Sequence, residues 1–587
     1  MSQALSNLLA TVIRRCRQWP RSFEFVVCLL IALIAVFGRP WPEADSIAYG
    51  AELCPTVALF NLWTFEWNVA ASIEGYRGYW DAPIFHPHRY AFAFSEPQPF
   101  SVLLGPLFWI TGSPALVYNG SIALSLTLNA VLTLRLLRRL RFRGFPAWGA
   151  AVLVELLPFV HWHLGTIQLV GLFGVLGTLD ALLSFVATPN WRRSLLVGVW
   201  SAITFHCCNY YGLFLVYLLV SSGWLLVLPR LRSLRFWLLC GLTVIVAGLL
   251  VSPVVLMQFR CKALYRWERS HETVRDLSAE PADYLVSHAQ RIPALSLTRF
   301  ADSIREPHWH LGMGTITESL ALIGLVYGFA RRGRRLWTLF CLATVLMFFT
   351  TSLGFRWQVG SVEPYQWLVN WFPGFKEIRS PFRCAVIVQL AVTLLSASGL
   401  EALCDRRLRR LWPLRVVTGP CTRSKLTQAL CVCLIMVAAY EIWPERSRLH
   451  VLRTDEQNSG WTDWVRLNSD PESSVAYLPF ALGYNVTDFT STTELMLLGL
   501  RHDRRAVNGY SGFFPKDAMP LTETMKSFPS PASLTELRSR KVSLCIVSRA
   551  WRTPQQIVPP NTQWRSGLGL GYSDEANGID IYWLWDE

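Results

Sequence analysis

Apolar runs of membrane-crossing length recur along most of this chain. They cover roughly 23–38, 114–133, 145–160, 166–187, 194–208, 210–228, 236–257, 315–330, 336–353, 384–403 and 426–440. A hydrocarbon core about 30 Å thick calls for spans of about 20 apolar residues, because backbone amides there can be satisfied only inside a helix. Eleven spans are therefore expected, the first as an uncleaved anchor, since no small-residue cleavage site follows it. After about residue 441 the pattern changes. Apolar runs shorten to strand length, as in SVAYLPF, KVSLCIVS and IDIYWLW, between turn-rich stretches. The predicted fold is a mainly α, polytopic membrane helix bundle over 22–441, preceded by a basic N-terminus (1–21) and followed by an α/β domain (442–587).

Composition agrees with that class. Of 587 residues 52% are hydrophobic and only 16% charged, well below the soluble norm of about a quarter. The net charge of +15 falls largely in segments flanking the spans, so no nucleic-acid partner is implied. The basic connections RLLRRLRFR, NWRRS, PRLRSLR, ARRGRR and the stretch 405–425 all alternate onto the side of the N-terminus, which the positive-inside rule makes cytoplasmic. Loops 39–98, 258–314 and 354–383 and the C-terminal domain then face the other side. A bacterial inner membrane is the expected home. Of the cysteines, Cys54, Cys261 and Cys545 lie outside the spans, where a disulfide among them is open, and there is no CxxC motif.

Candidate chemistry concentrates in the loop 39–98, which reads FNLWTFEWN and then YWDAPIFHPHRYAFAFSEPQP. Glu43, Asp45, Glu52, Glu66, Asp81 and Glu96 are its notable acids. Glu52, Glu66, Asp81 and Glu96 are second candidates to meet a substrate, Asp81 and Glu96 foremost, and each can instead cap a helix or pair with Arg77 or Arg89. His86 and His88 can hold a divalent metal with a carboxylate, or can fix the loop by hydrogen bonds, the more ordinary role for two histidines separated by one proline. Phe60, Trp63, Trp67 and Ala71 follow a helical stripe, which predicts an amphipathic helix lying flat at the interface.

Two basic sets are suited to a phosphate group. Lys376, Arg379 and Arg383 precede the tenth span, where they can bind phosphate bidentately or simply snorkel to headgroups. Lys262, Arg266 and Arg269 can do the same or pair with Glu268, Glu272 and Asp276. Within the spans Glu155, Gln168, Asp180 and His206 are the polar groups of note, too few carboxylates for a proton relay. In RHDRRAVNGYSGFFP the glycines read as turn punctuation, with an acceptor-binding face as the alternative.

NLWTFEWN, DAPIFHP, FSEPQP, NYYG, PGFKEIRSPFR and NGYSGFFP, spread over nearly the whole chain, resemble multi-pass bacterial proteins of the GT-C glycosyltransferase type. That resemblance implies a sugar taken from a polyprenyl-phosphate donor, an extracytoplasmic acceptor, and a carboxylate in the first outer loop as catalytic acid or base or metal ligand. Asp45, helped by Glu43, occupies that location. A lipid-linked glycan flippase and a non-catalytic partner in envelope polysaccharide assembly are the alternatives. No cofactor is implied beyond a divalent metal.

Overall fold

The computed structural model describes residues 21–287, 291–292, 295, 309–405, 420–453, 455–549 and 567–585. Its helices are α1 (Arg21–Phe37), α2 (Thr56–Ile73), α3 (Pro114–Arg139), α4 (Phe145–Glu155), α5 (Pro158–Trp162), α6 (Phe173–Ala187), α7 (Trp191–Cys207), α8 (Asn209–Leu218), α9 (Leu234–Tyr265), α10 (Thr315–Ala330), α11 (Arg335–Ser352), α12 (Ala385–Cys404) and α13 (Pro420–Glu441), with shorter turns between them. Among the described residues, seven helical segments are long and apolar enough to cross a membrane. Among the other expected spans, 315–330 and 427–441 form shorter apolar helices, and the first is a 17-residue helix. Apolar helices of this length and composition mark an integral membrane protein, and of the eleven expected spans seven correspond to helices of crossing length among the described residues.

Among the described residues the basic connections gather at one end of the bundle, while the basic N-terminus (1–20) and residues 406–419 of the stretch 405–425 lie outside the described residues. Arg135 and Arg139 both reach Asp180, at 2.7 and 2.5 Å. Arg138 meets Glu24 at 2.5 Å, Arg334 meets Glu401 at 2.7 Å, and Arg230 donates to the carbonyls of Val186 and Ala187 at 2.8 Å. Asp180 is therefore a structural counter-ion.

Small residues set the closest helix contact. A Cβ on Gly324 of α10 would lie 2.2 Å from the Leu395 carbonyl of α12, and one on Gly399 would lie 2.0 Å from the Leu320 carbonyl. Only glycine allows that approach, the usual device where lipid supplies no hydrophobic drive between helices. The break between α4 and α5, at Pro158, frees backbone groups, and Gln389 of α12 accepts the Phe159 amide at 3.2 Å. α9 is different. Its 32 residues pack chiefly on α7, leaving Val244, Leu249, Leu256 and Phe259 exposed on the lipid side. Pro253 interrupts its ladder, and His206 of α7 sits 3.0 Å from the neighbouring Leu250 carbonyl, which gives that intramembrane histidine a structural role.

Past α13, strands β3 (Ser474–Leu478), β4 (Arg505–Ala506), β5 (Val542–Ser548), β6 (Leu568–Asp574) and β7 (Ile579–Leu584) form a mixed sheet in the order β4-β3-β5-β7-β6. β3 runs parallel to β4 and β5, whereas β7 is antiparallel to β5 and β6. β5 is almost wholly buried, so it reads as a continuous apolar run. This region is bound to the first loop. β1 (Ser46–Ala48) pairs antiparallel with β2 (Leu449–Val451). The Ala506 carbonyl accepts from the His86 amide at 2.8 Å, and the Phe513 amide donates to the Phe94 carbonyl at 2.9 Å.

The expected interfacial helix is corrected by the packing of α2. Phe60 and Trp63 are buried, as are residues on the remaining faces of the helix, because the helix lies between the 490–499 helix and the 99–104 turn. A helix covered on all sides belongs in a core, and its buried Asn61 and Asn68 are there because they are hydrogen-bonded. Trp63 stacks on Phe60 at 5.6 Å and on Trp67 at 6.5 Å, with Phe92 edge-on at 6.0 Å. Cys54, Cys261 and Cys545 are all free thiols.

Candidate active site

Two acids of the first loop are delivered inward by identifiable local geometry. Gly50 turns the chain at φ +69, and a Cβ there would lie 2.7 Å from the Trp162 carbonyl, so a side chain is excluded on two grounds. Two residues later the Glu52 carboxyl enters the end of the bundle. Its Oε1 accepts from the Thr166 amide at 3.1 Å and from the Thr166 hydroxyl at 2.8 Å. Oε2 rests against Gly165, where a Cβ would come within 2.5 Å of it. Glu96 arrives from the other end of the loop. Asn68 donates to the Pro97 carbonyl at 2.7 Å, and the Gln98 side chain donates to Asn61 at 2.7 Å, which pins the segment that carries it. Its Oε2 accepts from the Asn209 amide at the start of α8, at 3.2 Å.

Both carboxyls keep partial exposure, yet protein encloses them. Desolvation pushes each up to about 7, against the opposing pull of their hydrogen bonds and of the Arg383 charge. One guanidinium is thus felt at both acids. Arg383 and Arg379 come from the turn before α12. The Arg383 guanidinium lies 4.7 Å from the centre of the Tyr210 ring, and the Arg379 amide donates to the Tyr210 hydroxyl at 3.3 Å. Arg269 approaches from the segment after α9, 3.6 Å over the Phe513 ring, and donates to the Gly512 carbonyl at 3.0 Å. Burial first, and then the neighbouring Arg379 and Arg383, pull Arg269 down to about 10 against the pull of Tyr210 and Glu377.

Among the described residues these arginines have no carboxylate in salt-bridge contact, and the Nε groups of Arg269 and Arg383 are buried without a hydrogen-bond partner. Partly desolvated guanidiniums left unmatched are an anion site in waiting, because the fork is built for bidentate oxygen pairs. Tyr510 completes the cluster. It stands edge-on to Phe60 at 5.5 Å, within electrostatic reach of Arg379, Glu52 and Arg383.

Other sequence candidates lie elsewhere. Glu43 pairs with Arg39 and stands 3.7 Å from Arg446, and exposed Asp45 takes only its neighbour Ser46's hydroxyl, at 2.8 Å. Asp81 is exposed and accepts the Tyr90 amide at 2.7 Å, closing its own turn. His88 meets Asp517 at 2.7 Å, while His86 contributes its amide to Ala506. The two histidines are not brought to a common point with a third ligand, and no group of three His, Cys, Asp or Glu suited to a metal occurs among the described residues. Lys262 is paired with Glu377, and Arg266 and Lys376 are exposed. Sequence reasoning set Glu52 among secondary acids and assigned nothing to Tyr210, Tyr510 or Phe513. NYYG and NGYSGFFP, aromatic motifs without apolar periodicity, were the available signals.

At the level of the backbone the fold has precedents. The arabinofuranosyltransferase AftD from Mycobacteria superposes with a TM-score of 0.56 over 97% of this chain, at 13% identity, and a variant of it gives 0.53. The chain has the GT-C fold. It spans 40% of AftD's length. ArnT from Cupriavidus metallidurans aligns over 96% of the chain at 11% identity, with a TM-score of 0.43 that carries no weight. No protein-family model and no curated protein matches the sequence. At such identities the likeness is one of the GT-C fold alone, and it assigns no substrate.

Proposed function

We propose that this chain is a membrane glycosyltransferase that moves a sugar from a polyprenyl-phosphate donor to an acceptor on the extracytoplasmic side. The observation that carries the reading is the pair of half-buried carboxyls sharing a neighbourhood with three guanidiniums that lack carboxylate partners. The donor's phosphate would lie against Arg379, Arg383 and Arg269, the last seated on Phe513. The acceptor hydroxyl attacks the anomeric carbon, the bond from that carbon to the phosphate oxygen breaks, and the electron pair leaves with polyprenyl phosphate. Glu52 takes the hydroxyl proton. A carboxyl held near 7 suits that work, since it is an effective base close to neutral pH. The guanidiniums stabilise the charge growing on the leaving phosphate. The exposed apolar flank of α9 offers the isoprenoid tail a lipid-side approach.

In this reading the role first expected of Asp45 and Glu43 passes to Glu52, with Glu96 as the second carboxyl. The loop 39–98 and the C-terminal sheet lie outside the inner membrane, opposite the basic connections. The test uses full-length protein in nanodiscs with a panel of radiolabelled polyprenyl-phosphate sugars. Wild type should transfer from at least one donor, and Glu52→Gln and Arg383→Ala should each abolish transfer. Turnover that persists in both variants would remove the site assignment, and inertness toward every donor would remove the transferase reading.

A further inference from the structure

Tyr210 meets both kinds of charged group in the cluster, a carboxyl through its main chain and a guanidinium through its ring. The amides of Asn209 and Tyr210 both reach the Glu96 carboxylate. The Tyr210 ring lies under the Arg383 guanidinium at 4.7 Å. Its hydroxyl accepts the Arg379 amide at 3.3 Å, and Arg269 feels it electrostatically. The residue stands in the first turn of α8, whose next tyrosine, Tyr211, is buried and anchored through its hydroxyl to the Leu169 carbonyl at 2.5 Å. The helix start is therefore fixed from behind. What Tyr210 presents forward is held at a set height.

We infer that Tyr210 is a positioning residue that spaces the phosphate-binding arginines from the carboxyl side of the site. The inference rests on the transferase reading for its ligand but not for its geometry. An arginine side chain has many rotamers, and one with a buried Nε lacking any partner needs another restraint to stay aimed. The ring face supplies it through a cation–π contact, whose strength runs from a factor of about 2 in an equilibrium constant at an exposed site to about 30 where water is excluded. The hydroxyl holds the backbone from which Arg379 projects. One side chain thus sets both arginines, and its own main chain sets Glu96.

Two substitutions separate ring from hydroxyl. Tyr210→Phe keeps the ring, and Tyr210→Leu removes it while filling similar space. Binding of farnesyl phosphate to detergent-purified full-length protein, with farnesol and inorganic phosphate as separate arms, reads the phosphate site. Tyr210→Leu should weaken farnesyl phosphate about tenfold, and Tyr210→Phe no more than about threefold. Reactivity of Arg383 toward phenylglyoxal, mapped by mass spectrometry without ligand, should rise severalfold in Tyr210→Leu and stay near wild type in Tyr210→Phe. Thermal unfolding of both variants controls for misfolding. If wild type binds no farnesyl phosphate while Arg383 reactivity still rises in Tyr210→Leu, the clamp stands and the donor-phosphate reading fails. Unchanged reactivity in Tyr210→Leu, or an equal rise in both variants, overturns the clamp. Inorganic phosphate competing as well as farnesyl phosphate would assign the site to a free anion, with the positioning role intact.

Discussion

The first loop contains two pairs of acids with opposite fates. Glu43 and Asp45 lie at its beginning, one neutralised by Arg39 with Arg446 nearby and the other open to solvent. Glu52 and Glu96 lie farther along, enclosed, hydrogen-bonded to backbone amides and raised to about 7. All four are short-range neighbours of aromatic and proline-rich sequence. What separates them is desolvation together with an unpaired guanidinium, and both come from parts of the chain more than a hundred residues away. Proximity to the first span therefore says less about reactivity than does the depth to which a turn such as Gly50 carries the side chain.

The contrast can be broken by substitution. The largest effect is expected for Glu52→Gln, with donor turnover falling by roughly a hundredfold or more, the usual scale for a lost general base. Arg383→Ala should cost a comparable factor, with kcat and kcat/KM falling together because the lost interaction strengthens as charge grows on the leaving phosphate. Next comes Gly165→Ala. The added methyl would meet Glu52 Oε2 at 2.5 Å, so turnover should drop about tenfold while thermal unfolding shifts little.

A pH series sharpens the same point. With Glu52 as base, kcat/KM should fall about tenfold per unit below pH 7 and level off above it. Its raised folded value also means that the folded protein holds this proton more tightly than the unfolded chain, whose carboxyl titrates near 4.5. Wild type therefore loses stability as pH climbs from about 4.5 through 7. Glu52→Gln should unfold at a higher temperature than wild type at pH 8, and the gap should close toward pH 4.5. The smallest effect is expected for Asp45→Asn, within about threefold of wild-type turnover. A loss there as large as that of Glu52→Gln would erase the distinction between the two pairs.

Helix-period apolar runs made the bundle legible, and the gathering of Arg135, Arg138, Arg139 and Arg334 at one end follows the charge alternation read from sequence. The shift to strand-length runs after 441 likewise corresponds to the mixed sheet. Arg379 and Arg383 were visible as a basic pair ahead of an apolar span. Their convergence with Glu52, Glu96 and Arg269 was not, because it depends on loops meeting from distant segments. Trp63 misled for a related reason. Its helical stripe is genuine, but the opposite face of α2 is covered by a helix more than four hundred residues later, and no local pattern announces that cover.

That late cover bears on how the molecule is made. Tyr510, beside Phe60 and within reach of Glu52, and Phe513, under Arg269, leave the ribosome only after helices α1–α13 have been synthesised. Until residues 510–513 are made, Phe60 lacks its edge-on ring and Arg269 its aromatic seat. A chain that ends before residue 510 therefore carries the acids and arginines of the cluster without the aromatic groups that seat them.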